Sequence, residues 1–284
     1  MKPAAFAYHA PRSLDEALAL LAEHADEGRL LAGGQSLVPA MNFRLARPAV
    51  LIDINRIAAL DFLGEADGWL RIGALTRHLA FERPVAAGPL ATLLPQVAWH
   101  VAHLPIRVRG TFAGSLAHAD PAAEWSLVAA TLAAEIVALS RAGERTLPAD
   151  GFFRTAFTTA LRPDELIAEV RLPLLGEDWR CGFAEFSRRK GDFALAMALA
   201  AVRLEDERIA AARLGVGGVE HRPRRIEAAE ALLLGESARP EVLAAAADAV
   251  AAALEPVEDI HASAEYRRDL ARVMARRALE GALA

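Results

Sequence analysis

The stretch "LLAGGQSLVPAMNFRLARP", Leu30 to Pro48, closes an apolar run with two adjacent glycines and then presents Gln35 and Ser36. Glycine tolerates φ > 0 and carries no Cβ, so the N–H groups from Ala32 through Gly33 and Gly34 can turn toward one anion. Ser36 can add a hydroxyl donor. This chemistry suits a pyrophosphate. No Gly-Lys-Ser/Thr follows, so the stretch is not a Walker loop, and it lacks the G-x-G-x-x-G spacing of a Rossmann turn. On residue types alone a strand-end turn is the simpler reading, and an anion cradle stands beside it.

A second glycine-bearing stretch is "IRVRGTFAGSLAHADPAAEW", Ile106 to Trp125. It places Gly110, Thr111, Gly114 and Ser115 in a piece that reads as irregular from Leu104 to Asp120. Long loops inside compact domains usually carry function. Asp120 and Pro121 predict a helix start, with Asp120 as N-cap and the helix running to about Ala134. Loop donors and a positive helix end can hold a phosphate. Glu124, one turn further on, is either a ribose or adenine acceptor or a solvated helix-start residue. A third stretch, "SRRKGDFA" from Ser187, sets Arg188, Arg189 and Lys190 before Gly191 and Asp192. It reads equally as a charged strand end or as a basic patch beside a cofactor that is negative when reduced.

The surroundings predict mixed α and β structure. "SLDE" at Ser13 has capping-box spacing for a helix through Leu14, Leu18 and Leu21. Strands are predicted at Val50 to Ile54, around a turn near Ala66 to Gly68, at "EIVALS" and at Glu165 to Pro173. Thr76 is read as the cap of a short helix. Residues 174 to 178 read as a linker. Beyond it come three strands, the last two joined by "EDE", and three helices. The last helix starts near Ser263 with an apolar stripe of Tyr266, Leu270, Val273 and Met274.

Composition narrows the function. The chain has 284 residues, enough for one large or two modest domains, and its 54% apolar and 24% charged residues fit a globular protein. A net charge of −5 argues against a broad nucleic-acid face. No apolar run reaches the ~18 residues of a membrane span. No signal peptide is read at the N-terminus, and one cysteine, Cys181, fits a reducing, cytoplasmic setting. A single cysteine cannot hold a four-cysteine iron–sulfur cluster. His100 and His103 share a helix face, but no nearby acid or cysteine completes a metal site. No catalytic nucleophile or general base is legible, so the chemistry of an enzyme here would belong to a bound cofactor.

Taken together, "AGGQSLVPAMNFRLARP" and "IRVRGTFAGSLAHADPAAE" resemble the two flavin-binding signatures of the FAD-carrying medium subunit of molybdenum hydroxylases, the carbon monoxide dehydrogenase and xanthine dehydrogenase flavoprotein family. "VLIDINRI", "RIGALTRH", "RRKGDFALA" and "HASAEYRRDLARVMARRAL" are similar to family segments in family order. The resemblance implies an α+β fold. It comprises a two-part FAD-binding domain of the vanillyl-alcohol-oxidase (PCMH) type over 1–175, divided near 56–60, and a smaller C-terminal α+β domain over 176–284 with an antiparallel sheet and helices.

By the same resemblance, Ala32, Gly33, Gly34, Gln35 and Ser36 form the first pyrophosphate loop, and Thr111, Ala113, Gly114 and Ser115 belong to the second. Asp120 and Glu124 face the ribityl, ribose and adenine parts. Ile167 lies beside the cofactor, and Lys190 and Asp192 lie on the isoalloxazine's C-terminal-domain side. Ala113 and Val108 depart from the usual glycine and asparagine. If Ala113 needs φ > 0, a strain of about 1–2 kcal/mol is implied.

The implied activity is electron relay in a heterotrimer that pairs into a dimer of heterotrimers. A large subunit would hold the molybdenum cofactor. A small iron–sulfur subunit with two [2Fe–2S] clusters would pass electrons through FAD to an external acceptor. A stand-alone flavin oxidase and a scaffold that has lost FAD are the alternatives.

Overall fold

Strands β1 (Ala7–His9), β2 (Gly28–Leu31) and β3 (Val50–Asp53) pair in parallel, in the order β1-β3-β2. The computed structural model describes residues Met1 to Ala284. Parallel neighbours require crossovers. The first is α1 (Leu14–Glu23), where Ser13 Oγ accepts from the Glu16 N–H at 3.2 Å and Ala17, Leu18 and Leu21 are buried. Only half of the predicted capping box forms, because Glu16 Oε2 accepts from the N–H of Arg12 instead of Ser13. The second crossover contains the Gly33–Gly34 stretch and α2 (Leu37–Asn42), a helix not predicted from the sequence.

Next come β4 (Leu63–Ala66) and β5 (Trp69–Gly73), the predicted hairpin. Thr76 caps nothing: its hydroxyl donates to Phe62 O at 2.7 Å, and the short 3-10 turn His78–Glu82 starts without a side-chain cap. Helices α3 (Leu90–Ala98), α4 (Leu104–Arg107), α5 (Phe112–His118) and α6 (Glu124–Leu132) follow. The piece read as irregular therefore holds two short helices. Helix α6 also begins later than predicted. Asp120 accepts from the Ala122 N–H at 2.9 Å, closing an Asx turn ahead of the helix and leaving Ala123 as the N-cap residue.

Strands β6 (Glu135–Ser140) and β7 (Gly143–Pro148), a small hairpin of β8 (Phe153–Thr155) and β9 (Thr158–Thr159), and β10 (Leu166–Pro173) complete this part. They give a five-stranded antiparallel sheet of order β4-β5-β10-β6-β7. Strands β11 (Trp179–Phe186), β12 (Ala196–Glu205), β13 (Arg208–Gly217) and β14 (Arg224–Arg225) form a second antiparallel sheet in chain order. The turn between β12 and β13 has Asp206 and Glu207 at φ of 48° and 60°, matching the twist of a tight hairpin.

Helices α7 (Glu227–Leu233), α8 (Pro240–Ala253) and α9 (Ala264–Leu283) cover one face of that sheet. Ser263 caps α9 by accepting from the Tyr266 N–H. Leu270 and Met274 are buried as predicted, whereas Tyr266 and Val273 are exposed. The buried face runs instead through Ala271, Ala275, Ala278 and Ala282. Small residues are needed there because α9 lies almost on β11: a Cβ on Gly182 would sit 2.6 Å from the Ala282 nitrogen.

Strand alternation makes β12 a shared wall. Met197, Leu199 and Ala201 join the core that contains α6, while Ala196, Ala198, Ala200 and Val202 join the core of α7 to α9. Helix α6 is buried on nearly all sides, and its first residues open onto the cleft described next.

Candidate functional site: a cleft floored by two glycine loops

Gly33 lies against the second loop so closely that a Cβ on it would be 2.6 Å from both Arg109 O and Gly110 Cα. Gly34 has φ of +71°. The two glycines thus answer different demands, close backbone approach at one and left-handed backbone at the next. Gln35 Nε2 donates to Gly33 O at 2.9 Å and closes the loop on itself. Asn55 Nδ2 donates to Ala32 O at 2.8 Å. The Arg77 guanidinium donates to both Asn55 Oδ1 and Arg109 O, which ties the first loop to the second.

The backbone N–H groups of Gly33, Gly34, Gln35 and Ser36 make no hydrogen bond within the chain, and the Ser36 hydroxyl caps nothing. In the second loop Thr111 Oγ1 accepts from the Gly114 N–H at 3.0 Å. A Cβ on Gly114 would fall 2.7 Å from that oxygen, so glycine is what lets the cap close. Phe112 gives its N–H to Thr76 O, while Thr111 and Ala113 keep theirs unpaired. Ala113 sits in the first turn of α5 with negative φ, so the strain expected of its methyl does not arise. Val108 lies outside the cleft and is 47% exposed.

The loops floor a cleft of about 1470 Å³, roomier than the ~300–1,000 Å³ of typical small-ligand sites. Its walls carry Ala32 to Ser36, Thr111, Ala113, Gly114, Ser115, Asp120, Glu124, Ile167 and Asp192. Lys190 is the exception among the predicted residues. It is not on the cleft wall, and its Nζ lies 5.4 Å from the Trp99 ring centre, an attractive cation–π placement. Gly191, at φ of +85°, turns the chain so that Asp192 and the exposed Phe193 face the cleft instead. The sequence reading missed His78 and His261, which also line it, as does Arg188 from the basic stretch. Arg188 Nη1 is 3.2 Å from His261 Nδ1. These are scattered single residues that only the tertiary fold brings together.

Two buried groups are strongly perturbed. Burial pushes Glu124 up to about 8, helped by the charge of Glu185 and more weakly by Asp120, against a lowering backbone hydrogen bond. Glu185, on β11, has Oε1 3.5 Å from His100 Nδ1, while its buried Oε2 has no partner. His78 is pushed down to about 4, first by burial and then by the charges of Arg107 and Arg77. Burial also pushes the Cys181 thiol up to about 12, which leaves it an unreactive thiol at neutral pH.

Unpaired N–H donors grouped on two touching loops, with acceptors at Asp120 and Glu124, suit a dinucleotide: donors for the phosphates and acceptors for hydroxyls. That defines the class the geometry fits, a dinucleotide-binding fold. Residues 4–175 match the family described as the FAD binding domain in molybdopterin dehydrogenase, and residues 182–282 match the CO dehydrogenase flavoprotein C-terminal domain.

The chain is 40% identical over its whole length to the 6-hydroxypseudooxynicotine dehydrogenase complex subunit alpha of Paenarthrobacter nicotinovorans, covering 96% of that protein. It is 36% identical to the carbon monoxide dehydrogenase medium chain of Hydrogenophaga pseudoflava, covering 100% of this chain and 99% of that one. A solved structure of carbon monoxide dehydrogenase from the same organism superposes with a TM-score of 0.96 at 37% identity, covering 100% of this chain and 99% of the other. The chain belongs to the FAD-binding medium subunits of the molybdenum hydroxylase family and is an oxidoreductase subunit.

Proposed function

We infer that this chain relays electrons in a multi-subunit molybdenum hydroxylase. Bound FAD would supply the redox chemistry. The chain's own residues hold it. Gly33 to Ser36, Thr111 and Ala113 would donate N–H groups to the pyrophosphate, with Gly114 and Ser115 shaping and flanking the second loop. Asp120 and Glu124 would receive ribityl or ribose hydroxyls, and Ile167 and Asp192 would line the flavin end. Lys190 is left out of this set because it rests on Trp99.

The observation that carries the reading is the unspent N–H set on two loops that touch at Gly33 and Gly110. It also speaks against a scaffold that has lost FAD, because nothing else in the chain uses those donors.

The partners would be a molybdenum-cofactor subunit and a small subunit with two [2Fe–2S] clusters, assembled as a dimer of heterotrimers in the cytoplasm. The relatives' names span 6-hydroxypseudooxynicotine and carbon monoxide, which supports a substrate site on the partner subunit instead of this chain. A division at 175/176, with a lesser one near 56–60, is supported by the ends of β10 and β3.

The test is reconstitution of the full-length chain. It should take up about one FAD, show a flavin spectrum, and carry neither iron nor molybdenum. A chain that stays colourless in excess FAD defeats the proposal, and turnover of an organic substrate by the chain alone favours a stand-alone oxidase.

A further inference from the structure

Beneath the junction of the two loops lies a histidine that none of the loop arguments uses. His78 is 5% exposed and lines the cleft. Trp125 Nε1 lies 2.9 Å from His78 Nδ1. An indole nitrogen can only donate, so Nδ1 must be the acceptor and carry no proton. A neutral imidazole with a bare Nδ1 has its proton on Nε2. Burial and the nearby Arg77 and Arg107 charges keep the ring neutral down to about pH 4. The tautomer is thereby fixed by a residue at the start of α6, the helix buried against β12.

The Nε2 edge is the one that faces the loops. Gly110 packs on it so tightly that a Cβ at Gly110 would collide with Nε2 and Cδ2. Gly33 in turn packs on Gly110. The stack Gly33, Gly110, His78 thus places this edge of the ring directly behind the junction of the two loops. Nε2 has no acceptor anywhere in the chain, and it is not among the fully enclosed unpartnered atoms. A donor this deep without a protein partner, yet open on the cleft side, calls for an acceptor from outside.

We propose that His78 is a further binding residue for the cofactor, its Nε2–H donating to a phosphoryl oxygen of the FAD pyrophosphate at the loop junction. A neutral donor suits this place. It adds a hydrogen bond without a fixed cation, and Trp125 prevents the ring from presenting a lone pair to an anion. The inference rests on the FAD reading above.

Two variants separate the ring's two nitrogens. In His78→Asn the amide oxygen can still accept from Trp125, but nothing reaches the cleft. In His78→Gln the longer amide can present an N–H there. In FAD titrations of the full-length chain followed by flavin fluorescence, His78→Asn should bind about tenfold or more weakly, and His78→Gln should recover most of that loss. With riboflavin, which has no phosphate, wild type and His78→Asn should bind alike.

Nitrogen-15 spectra of histidine-labelled wild type need no variant. Nε2 should carry the proton before FAD is added, and its resonance should move on binding. Wild-type FAD affinity in His78→Asn, an equal loss with riboflavin, or a proton found on Nδ1 would each overturn the proposal. Failure of wild type to take up any FAD would instead overturn the reading beneath it, and the proton's position in the free chain would still be measurable.

Discussion

Gly33 and Ala113 stand in corresponding loops, and the geometry predicts opposite outcomes for changing them. A methyl on Gly33 would press on Arg109 O and Gly110 Cα, which are backbone atoms that cannot step aside. Gly33→Ala should therefore part the two loops. Its FAD affinity should fall at least about tenfold while far-UV circular dichroism stays native, since the loop lies outside the sheets. Ala113→Gly should leave FAD affinity unchanged. Ala113 is already helical and its methyl is buried, so glycine costs helix propensity and that methyl's packing, about 1–2 kcal/mol in chemical denaturation.

Glu124 supplies a pH test. Its folded pKa lies above that of an unfolded carboxyl, so the folded state binds the proton more tightly. The group's contribution to stability is complete below the unfolded value near 4.5 and is lost as pH rises through about 8. Thermal melts at pH 5 and pH 8.5 should thus show a larger fall in Tm for wild type than for Glu124→Gln. Equal falls would mean that another group controls the slope.

At the scale of elements, the central strands were legible, whereas β1, β7, β8, β9 and β14 and the cleft's short helices were not. Val50–Asp53, the β4–β5 hairpin and the β12–β13 hairpin announce themselves through β-formers and turn residues. Helices α2, α4 and α5 span 6, 4 and 7 residues, too short for a 3.6-residue period to show. Alanine and glycine also blur any polar–apolar contrast in α5. The one local signal was Thr111, whose side chain caps three residues ahead at Gly114. Asp120, the obvious cap by residue type, was drawn into an Asx turn instead.

Residue types left the cleft ambiguous, with an anion cradle and a strand-end turn side by side at Gly33 and Gly34, because unspent N–H groups leave no mark on a sequence. His78 and Trp125 lie 47 residues apart and meet only in the fold. The Thr111 cap yields its own prediction. Thr111→Val keeps the shape and removes the acceptor. It should cost about 1 kcal/mol in denaturant unfolding and weaken FAD binding, since the first turn of α5 would fray at the cleft.

On the scale of the whole molecule, the cleft draws walls from all three larger sheets or their loops, and β12 lends one face to each core. Two consequences follow. Unfolding of the C-terminal helices cannot leave α6 undisturbed, because the strand that backs them also backs α6. A ligand in the cleft is likewise coupled to both cores, not only to the loops it touches.

A ligand that binds only the folded state adds RT ln(1 + [L]/Kd), about 2.7 kcal/mol at a hundredfold excess over Kd. For a chain of this size that raises Tm by about 5 °C. The prediction concerns which signals move. Release of flavin fluorescence, loss of far-UV signal and hydrogen exchange at the amides of α9, whose buried face lies in the second core, should shift upward together as FAD is added. A C-terminal transition that stays at one temperature while the other signals climb would show that β12 does not couple the two cores. The FAD-binding part would then be stabilised alone, and the shared wall would be a matter of packing without thermodynamic consequence.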